Sequence, residues 1–198
     1  MTASARLLIV GPQGSGKGTQ GVRVAESYGI PVVSTGDIFR ANIKNGTELG
    51  QKVTSILDRG DLVPDELTSE IVRDRLSQED AANGFLLDGY PRNAAQVTHL
   101  EAFLTARGEA LDAVILLDVP REESIERLQL RASEQGRSDD TTEAIAHRLD
   151  IYEHETAPIL ETYSERGIVD RIDGVGSLDE ITERISAALD ARGLRVTV

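Results

Sequence analysis

The chain contains no cysteine, so disulfides and thiolate metal sites are excluded, and a reducing compartment suits it. No apolar run approaches the length of a membrane-spanning helix. Low-complexity and disorder-prone stretches are missing too: 39% hydrophobic and 28% charged residues are ordinary for a globular chain. Met1 to Arg6, ahead of the first apolar run, is too short for a signal peptide, and a cytoplasmic protein is expected. Positive charge is scarce. Lys and Arg number 21 against 34 acids, a net charge of −13, which speaks against a nucleic-acid partner because a phosphate backbone calls for a broad basic face. Most of the acidic surplus reads as solvated surface. Any anionic ligand must then be held by local cations, so each arginine is informative by its position. At 198 residues the chain can bury a substantial core, and one domain is expected.

The apolar run Leu7-Leu8-Ile9-Val10 suits a buried strand, and Val22, Ala25 and Tyr28 follow at helical spacing. Between them stands Gly11-Pro12-Gln13-Gly14-Ser15-Gly16-Lys17-Gly18-Thr19, the setting of a phosphate-binding P-loop. Glycines let backbone N–H groups approach an anion without Cβ interference, and the helix N-terminus adds free donors and its dipole. Lys17 can reach β and γ phosphates as a point charge. In the general pattern a magnesium-ligating Ser or Thr follows the lysine directly; here Gly18 takes that place and Thr19 comes one later. The metal is therefore expected to be held differently.

Further apolar runs at Pro31–Ser34, Gly84–Asp88, Asp112–Val119 and Gly167–Ile172 alternate with helical patterns at Glu48–Asp58, from Pro64, Asn93–Arg107, from Pro120, Thr142–Arg166 with a break near Pro158, and Leu178–Arg192. From Leu130 to Asp140 the apolar period stops and a polar loop is expected, with Asp139 and Asp140 as capping or latching acids. Alternating strands and helices predict an α/β fold, a parallel sheet covered on both faces, whose ligands sit beyond the C-terminal strand ends. The P-loop, Thr35-Gly36, Asp88 to Arg92 and Asp118-Val119 all fall at such ends. Asp88, an acid closing an apolar strand, is well placed for a nucleotide-bound metal.

GPQGSGKGTQ, STGDIFR, GFLLDGYPR and IVDRIDGVGS together resemble the adenylate kinases of the nucleoside monophosphate kinase family, and the resemblance covers essentially the whole chain. It implies a P-loop NTPase-type sheet with a core at 1–33, 64–129 and 141–198, a helical monophosphate-binding insertion at 34–63 and a short lid at 130–140, without structural zinc. It implies transfer of a phosphoryl group from ATP to AMP, giving two ADP, in a monomer. ATP falls to Gly14, Ser15, Gly16, Lys17, Gly18, Thr19, Arg127 and Gly176. AMP falls to Thr35, Gly36, Arg40, Asp61, Leu62, Val63, Gly89, Tyr90, Pro91, Arg92, Gln96, Arg137 and Arg148. Lys17, Arg92, Arg127, Arg137 and Arg148 are the implied catalytic residues, Arg131 a secondary candidate, and Asp88 orders water around Mg2+. The family's loop reads GKGT, which fits Gly18.

The residue types suit this chemistry. The phosphate of AMP, with a second pKa of about 6, is already ionised at neutral pH, so the task is to align two polyanions and spread charge over fixed donors, for which arginine is suited. Thr35 and Gln96 favour AMP, whereas Asn93 looks like the UMP/CMP kinases, a second reading. A third is a nucleotide-binding regulatory module with little turnover.

Overall fold

A computed structural model describes residues 5–135 and 141–194. Among them, strands β1 (Ala5–Val10), β2 (Val32–Ser34), β3 (Gly84–Asp88), β4 (Ala113–Asp118) and β5 (Val169–Asp173) form one parallel sheet in the order β2-β3-β1-β4-β5. The helices are α1 (Lys17–Tyr28), α2 (Thr35–Lys44), α3 (Glu48–Asp58), α4 (Asp65–Leu76), α5 (Ala94–Ala106), α6 (Arg121–Gln135), α7 (Thr142–Ile151), α8 (Ile159–Glu165) and α9 (Leu178–Ala191).

The central strands are buried on both faces, which explains why they read as continuous apolar runs without alternation. Successive residues serve opposite cores. Leu8, Leu87 and Val114 pack with Val72, Leu100, Leu104, Ile159 and Tyr163 from α4, α5 and α8. Leu7, Ile9, Leu86 and Ile115 pack with Val24, Ala25, Ile181 and Ile185 from α1 and α9. The neighbours β1 and β3 therefore send their following helices, α1 and α5, to opposite faces. Where adjacent strands do this, a crevice opens at their C-terminal ends, and the P-loop and Asp88 lie there.

Local chemistry sets the helix ends. Gly29, left-handed at φ 65°, closes α1. Ser177 and Glu180 form a reciprocal capping box at α9. Helices α2 and α3 share a small core of Phe39, Val53 and Val63, separate from the two sheet faces.

One expectation is corrected. The polar stretch from Leu130 is helical through Gln135, because Arg, Ala, Glu and Gln are good helix formers that need no continuous apolar stripe. The helix from Thr142 is interrupted near Pro158, as expected: α7 gives way to a π turn over Tyr152–Thr156, with Ala157 N–H bonded to the Tyr152 carbonyl at 2.7 Å, before α8 begins after Pro158. Pro158 has no N–H to continue an α-helical ladder, so the preceding turn widens. The cap of α7 is Thr141, whose Oγ1 accepts from Ala144 N–H at 3.2 Å; Asp139 and Asp140 lie outside the described residues.

Helices α2 and α3 approach closely at Gly50, where a Cβ would stand 2.3 Å from the Asn42 carbonyl oxygen. Gly50→Ala is expected to force the pair apart, destabilising the protein by about 1–3 kcal/mol in denaturant unfolding. A variant as stable as the parent would show that the two helices part freely.

Candidate active site

Gly14 and Gly16 shape the P-loop with φ 82° and 91°. At Gly14 a Cβ would also lie 2.5 Å from the Ser124 carbonyl, whereas at Gly16 nothing stands within 4 Å and the backbone conformation alone calls for glycine. Lys17 folds back over the loop, donating from Nζ to the carbonyls of Gly11 and Pro12 at 2.8 Å each. Burial lowers its pKa from 10.5 to about 8; Asp88 opposes that shift, and Arg92 and Arg131 reinforce it. Gly18 lies beside Asp88, 3.8 Å from Oδ2 to where its Cβ would be. The Asp88 carboxyl is pushed up by burial against the pull of Lys17 and Arg92.

The opposite wall is built around Arg92. Its Nε donates to the Gly89 carbonyl at 2.8 Å, its N–H to Gln96 Oε1 at 2.8 Å, and its own carbonyl accepts from Thr156 Oγ1 at 2.8 Å. Gly89 has φ 81°, and a Cβ there would press on Thr35 Oγ1 at 2.9 Å and Arg92 Nη2 at 3.0 Å. Thr35 Oγ1 donates to the Gly89 carbonyl, also at 2.9 Å. Burial depresses the Arg92 pKa, and Arg148 and Arg40 push the same way while Asp88 opposes them. The guanidinium nevertheless stays charged at neutral pH. Arg40 pairs with Asp37 at 2.6 Å, and Arg148 donates to the Leu57 carbonyl at 3.0 Å. Arg127 bridges three groups: Glu123 at 2.7 Å, the Ser15 carbonyl at 3.4 Å and the Gly174 carbonyl at 3.1 Å.

These groups enclose a cleft of about 550 Å³. It gathers Gly14, Gly16, Lys17, Gly18, Thr19 and Arg127 with Thr35, Gly36, Arg40, Asp61, Leu62, Val63, Asp88, Gly89, Arg92, Gln96, Arg131 and Arg148. Six cationic side chains line it against three carboxylates, Asp37, Asp61 and Asp88, a local excess of positive charge in an acidic chain. Such a cleft concentrates polyanions.

Several candidates sit elsewhere. Ser15 is buried beneath the loop and lends the cleft only its backbone. Pro91 lines a smaller adjoining cavity with Lys17, Arg92 and Arg148. Tyr90 points away into the core, its hydroxyl bonded to Ser69 Oγ at 2.8 Å and donating to the Gln96 carbonyl at 3.2 Å. Gly176 lies in the loop after β5, near Glu180 and Arg184 and beyond the cleft lining. Asp118-Val119 does not join the cleft either: Asp118 pairs with Arg171 at 2.7 Å and its carbonyl anchors Gly174 N–H, while Val119 is buried. Arg137 lies outside the described residues. Thr156 was missed by sequence reasoning, because only the π turn brings it under Arg92. Asn93 is the N-cap of α5, its Oδ1 accepting from Gln96 N–H at 3.0 Å, a structural use of a residue read as a specificity mark.

The model described as "Adenylate kinase" matches residues 9–168. The chain is 57% identical over 185 residues to a protein of Kocuria rhizophila named adenylate kinase, covering 93% of this chain and 98% of that one. It is 57% identical over 185 residues to the adenylate kinase of Bifidobacterium longum, covering 93% and 100%, and 52% identical over 187 residues to that of Thermobifida fusca, covering 94% and 99%.

The lowered pKa of Lys17 gives two pH dependences. The folded chain holds this proton less tightly than the unfolded chain, so its contribution to stability rises with pH between about 8 and 10.5. Phosphate favours the charged lysine, so ATP affinity measured by calorimetry is expected to fall as pH rises past about 8, and Lys17→Met is expected to remove that fall. Equal pH profiles for parent and variant would refute the assignment.

Proposed function

The chain belongs to the adenylate kinase family, and we infer from that membership and from the cleft that it catalyses reversible transfer of the γ-phosphoryl group of ATP to AMP, giving two ADP. The observation that carries this reading is the gathering of six cations beside a P-loop in a chain of net charge −13. A pure nucleotide binder has no need for cations facing the loop from a second wall, whereas a transferring phosphoryl group spreads charge over its oxygens and must meet donors already in place.

On this reading the P-loop backbone from Gly14 to Thr19 cradles the ATP phosphates, with Lys17 moving from the carbonyls of Gly11 and Pro12 onto them, and Arg127 and Gly176 lie toward the ATP base. Arg40 and Arg92 hold the AMP phosphate, with Arg137 and Arg148 reaching the transferring group and Arg131 assisting. Thr35, Gly36, Leu62, Val63, Gln96 and the backbone of Asp61 and of Gly89 to Pro91 form the AMP pocket. Two phosphates brought in line this way lose their translational freedom before reaction, which is the main source of rate where no general base is needed. The helical pair α2–α3 serves as the AMP-binding insertion and the segment from 130 to 140 as a short lid.

Asp88, whose carboxylate lies beside Gly18 in the cleft, would hold the water shell of Mg2+ arriving on the nucleotide, and the ion would neutralise phosphate charge. No helix among the described residues is long and apolar enough to cross a membrane, and we place the enzyme in the cytoplasm as a monomer without nucleic-acid partners.

A coupled assay with ATP and AMP, UMP or CMP tests the substrate: AMP is expected to be strongly preferred, and a pyrimidine preference would overturn the reading. Lys17→Ala is expected to cut kcat by about 10²-fold or more with thermal stability retained, and near-parental turnover would remove Lys17 from the mechanism. Parent protein that binds ATP yet transfers to no monophosphate would instead mark a regulatory module.

A further inference from the structure

The Gln96 amide, 2% exposed at the cleft wall, can face either way by exchanging its oxygen and nitrogen. Its surroundings allow only one orientation. Oε1 accepts from Arg92 N–H at 2.8 Å, while Nε2 donates to Asp65 Oδ1 at 2.8 Å. The same Asp65 oxygen accepts from Asn93 Nδ2 at 2.9 Å, and Asn93 Oδ1 holds Gln96 N–H. Turning the amide over would set its NH2 against the Arg92 N–H and its oxygen against the Asp65 carboxylate, two contacts of like polarity in a buried place. Asp65 opens α4 and is not among the residues lining the cleft.

We propose that Asp65 is a positioning residue that sets base selectivity by locking the Gln96 amide. This rests on AMP being the acceptor. With one N–H and one lone pair already used, Gln96 keeps one N–H and one lone pair of Oε1 for a ligand. Adenine offers the complement, an N6–H donor beside the N1 acceptor. Hypoxanthine and guanine reverse it, with an O6 acceptor beside an N1–H donor. A locked amide therefore favours AMP over IMP, since the wrong base leaves two donors and two acceptors facing each other. Cytosine shares the polarity of adenine, so the lock does not discriminate against CMP, and pocket size must do so.

Steady-state transfer from ATP to AMP and to IMP, measured on the parent and on Asp65→Ala, Asp65→Glu and Asp65→Asn, tests the proposal. Asp65→Ala frees the amide, and its KM for AMP is expected to rise about 5–20-fold while the AMP-over-IMP ratio of kcat/KM falls about tenfold, with the KM for ATP unchanged. Asp65→Glu keeps the charge at the start of α4 but displaces the acceptor, so it is expected to behave like Asp65→Ala and carries the test should that variant fail to fold. Asp65→Asn keeps the acceptor oxygen, which two facing donors orient, and is expected to stay within about threefold of the parent. A merely structural role for the charge gives the opposite ranking, with Asp65→Glu near the parent and Asp65→Asn impaired, and would overturn the proposal. Unchanged selectivity in Asp65→Ala would also overturn it. A parent that uses IMP as well as AMP, or a parent selective for AMP with equally selective variants, overturns the lock alone, whereas a parent that transfers to no AMP overturns the AMP reading beneath it.

Discussion

Cations held by backbone carbonyls are the interaction on which the site depends. Lys17 rests on Gly11 and Pro12, Arg92 on Gly89, Arg127 on Ser15 and Gly174, and Arg148 on Leu57. A carbonyl orients a cation without cancelling its charge. Two cleft arginines also meet a carboxylate, Arg40 at Asp37 and Arg127 at Glu123, as Arg121 does outside the cleft at Asp150 and Glu153. Burial, reinforced by neighbouring guanidinium groups, depresses the pKa values of Lys17 and Arg92. A polyphosphate beside them favours their charged forms, which adds to its binding.

The sheet supplies the place and the turns supply the aim. With α1 and α5 on opposite faces, the ends of β1 and β3 open toward one crevice, and left-handed glycines at Gly14, Gly16 and Gly89 turn the chain tightly enough to line it. The two walls are also tied together from behind. Thr156 on the π turn holds the Arg92 carbonyl, and α7 reaches α3 through Arg148 and the loop after α3 through His147, whose Nε2 lies 2.7 Å from Asp61 Oδ1. Side-chain positions set by several elements at once are needed where two ligands must be aligned to within a fraction of an ångström.

Much of this was legible in the sequence because it is local. A strand, a glycine-rich loop and a helix in immediate succession place Lys17 with no knowledge of the rest of the chain, and an acid closing an apolar strand places Asp88. Residues whose role depends on contacts across the fold were not legible. Tyr90 stands within a strong motif yet turns into the core toward Ser69. Asn93 resembled a specificity mark and is a helix cap. Thr156 lies in a polar stretch with no pattern of its own, and only the widened turn before Pro158 brings it to Arg92. The extension of α6 to Gln135 was hidden because a run of polar helix formers carries no apolar period.

The proposed reaction requires the cleft to hold two nucleotides at once and to pass a phosphoryl group directly between them. Its most direct test is a single-turnover experiment in which ATP labelled at the γ-phosphate is mixed with excess enzyme and AMP, and the label is followed. The label is expected in the β-phosphate of the ADP made from AMP, with almost none as inorganic phosphate. Label released as inorganic phosphate, or transfer whose rate does not depend on AMP, would contradict the account.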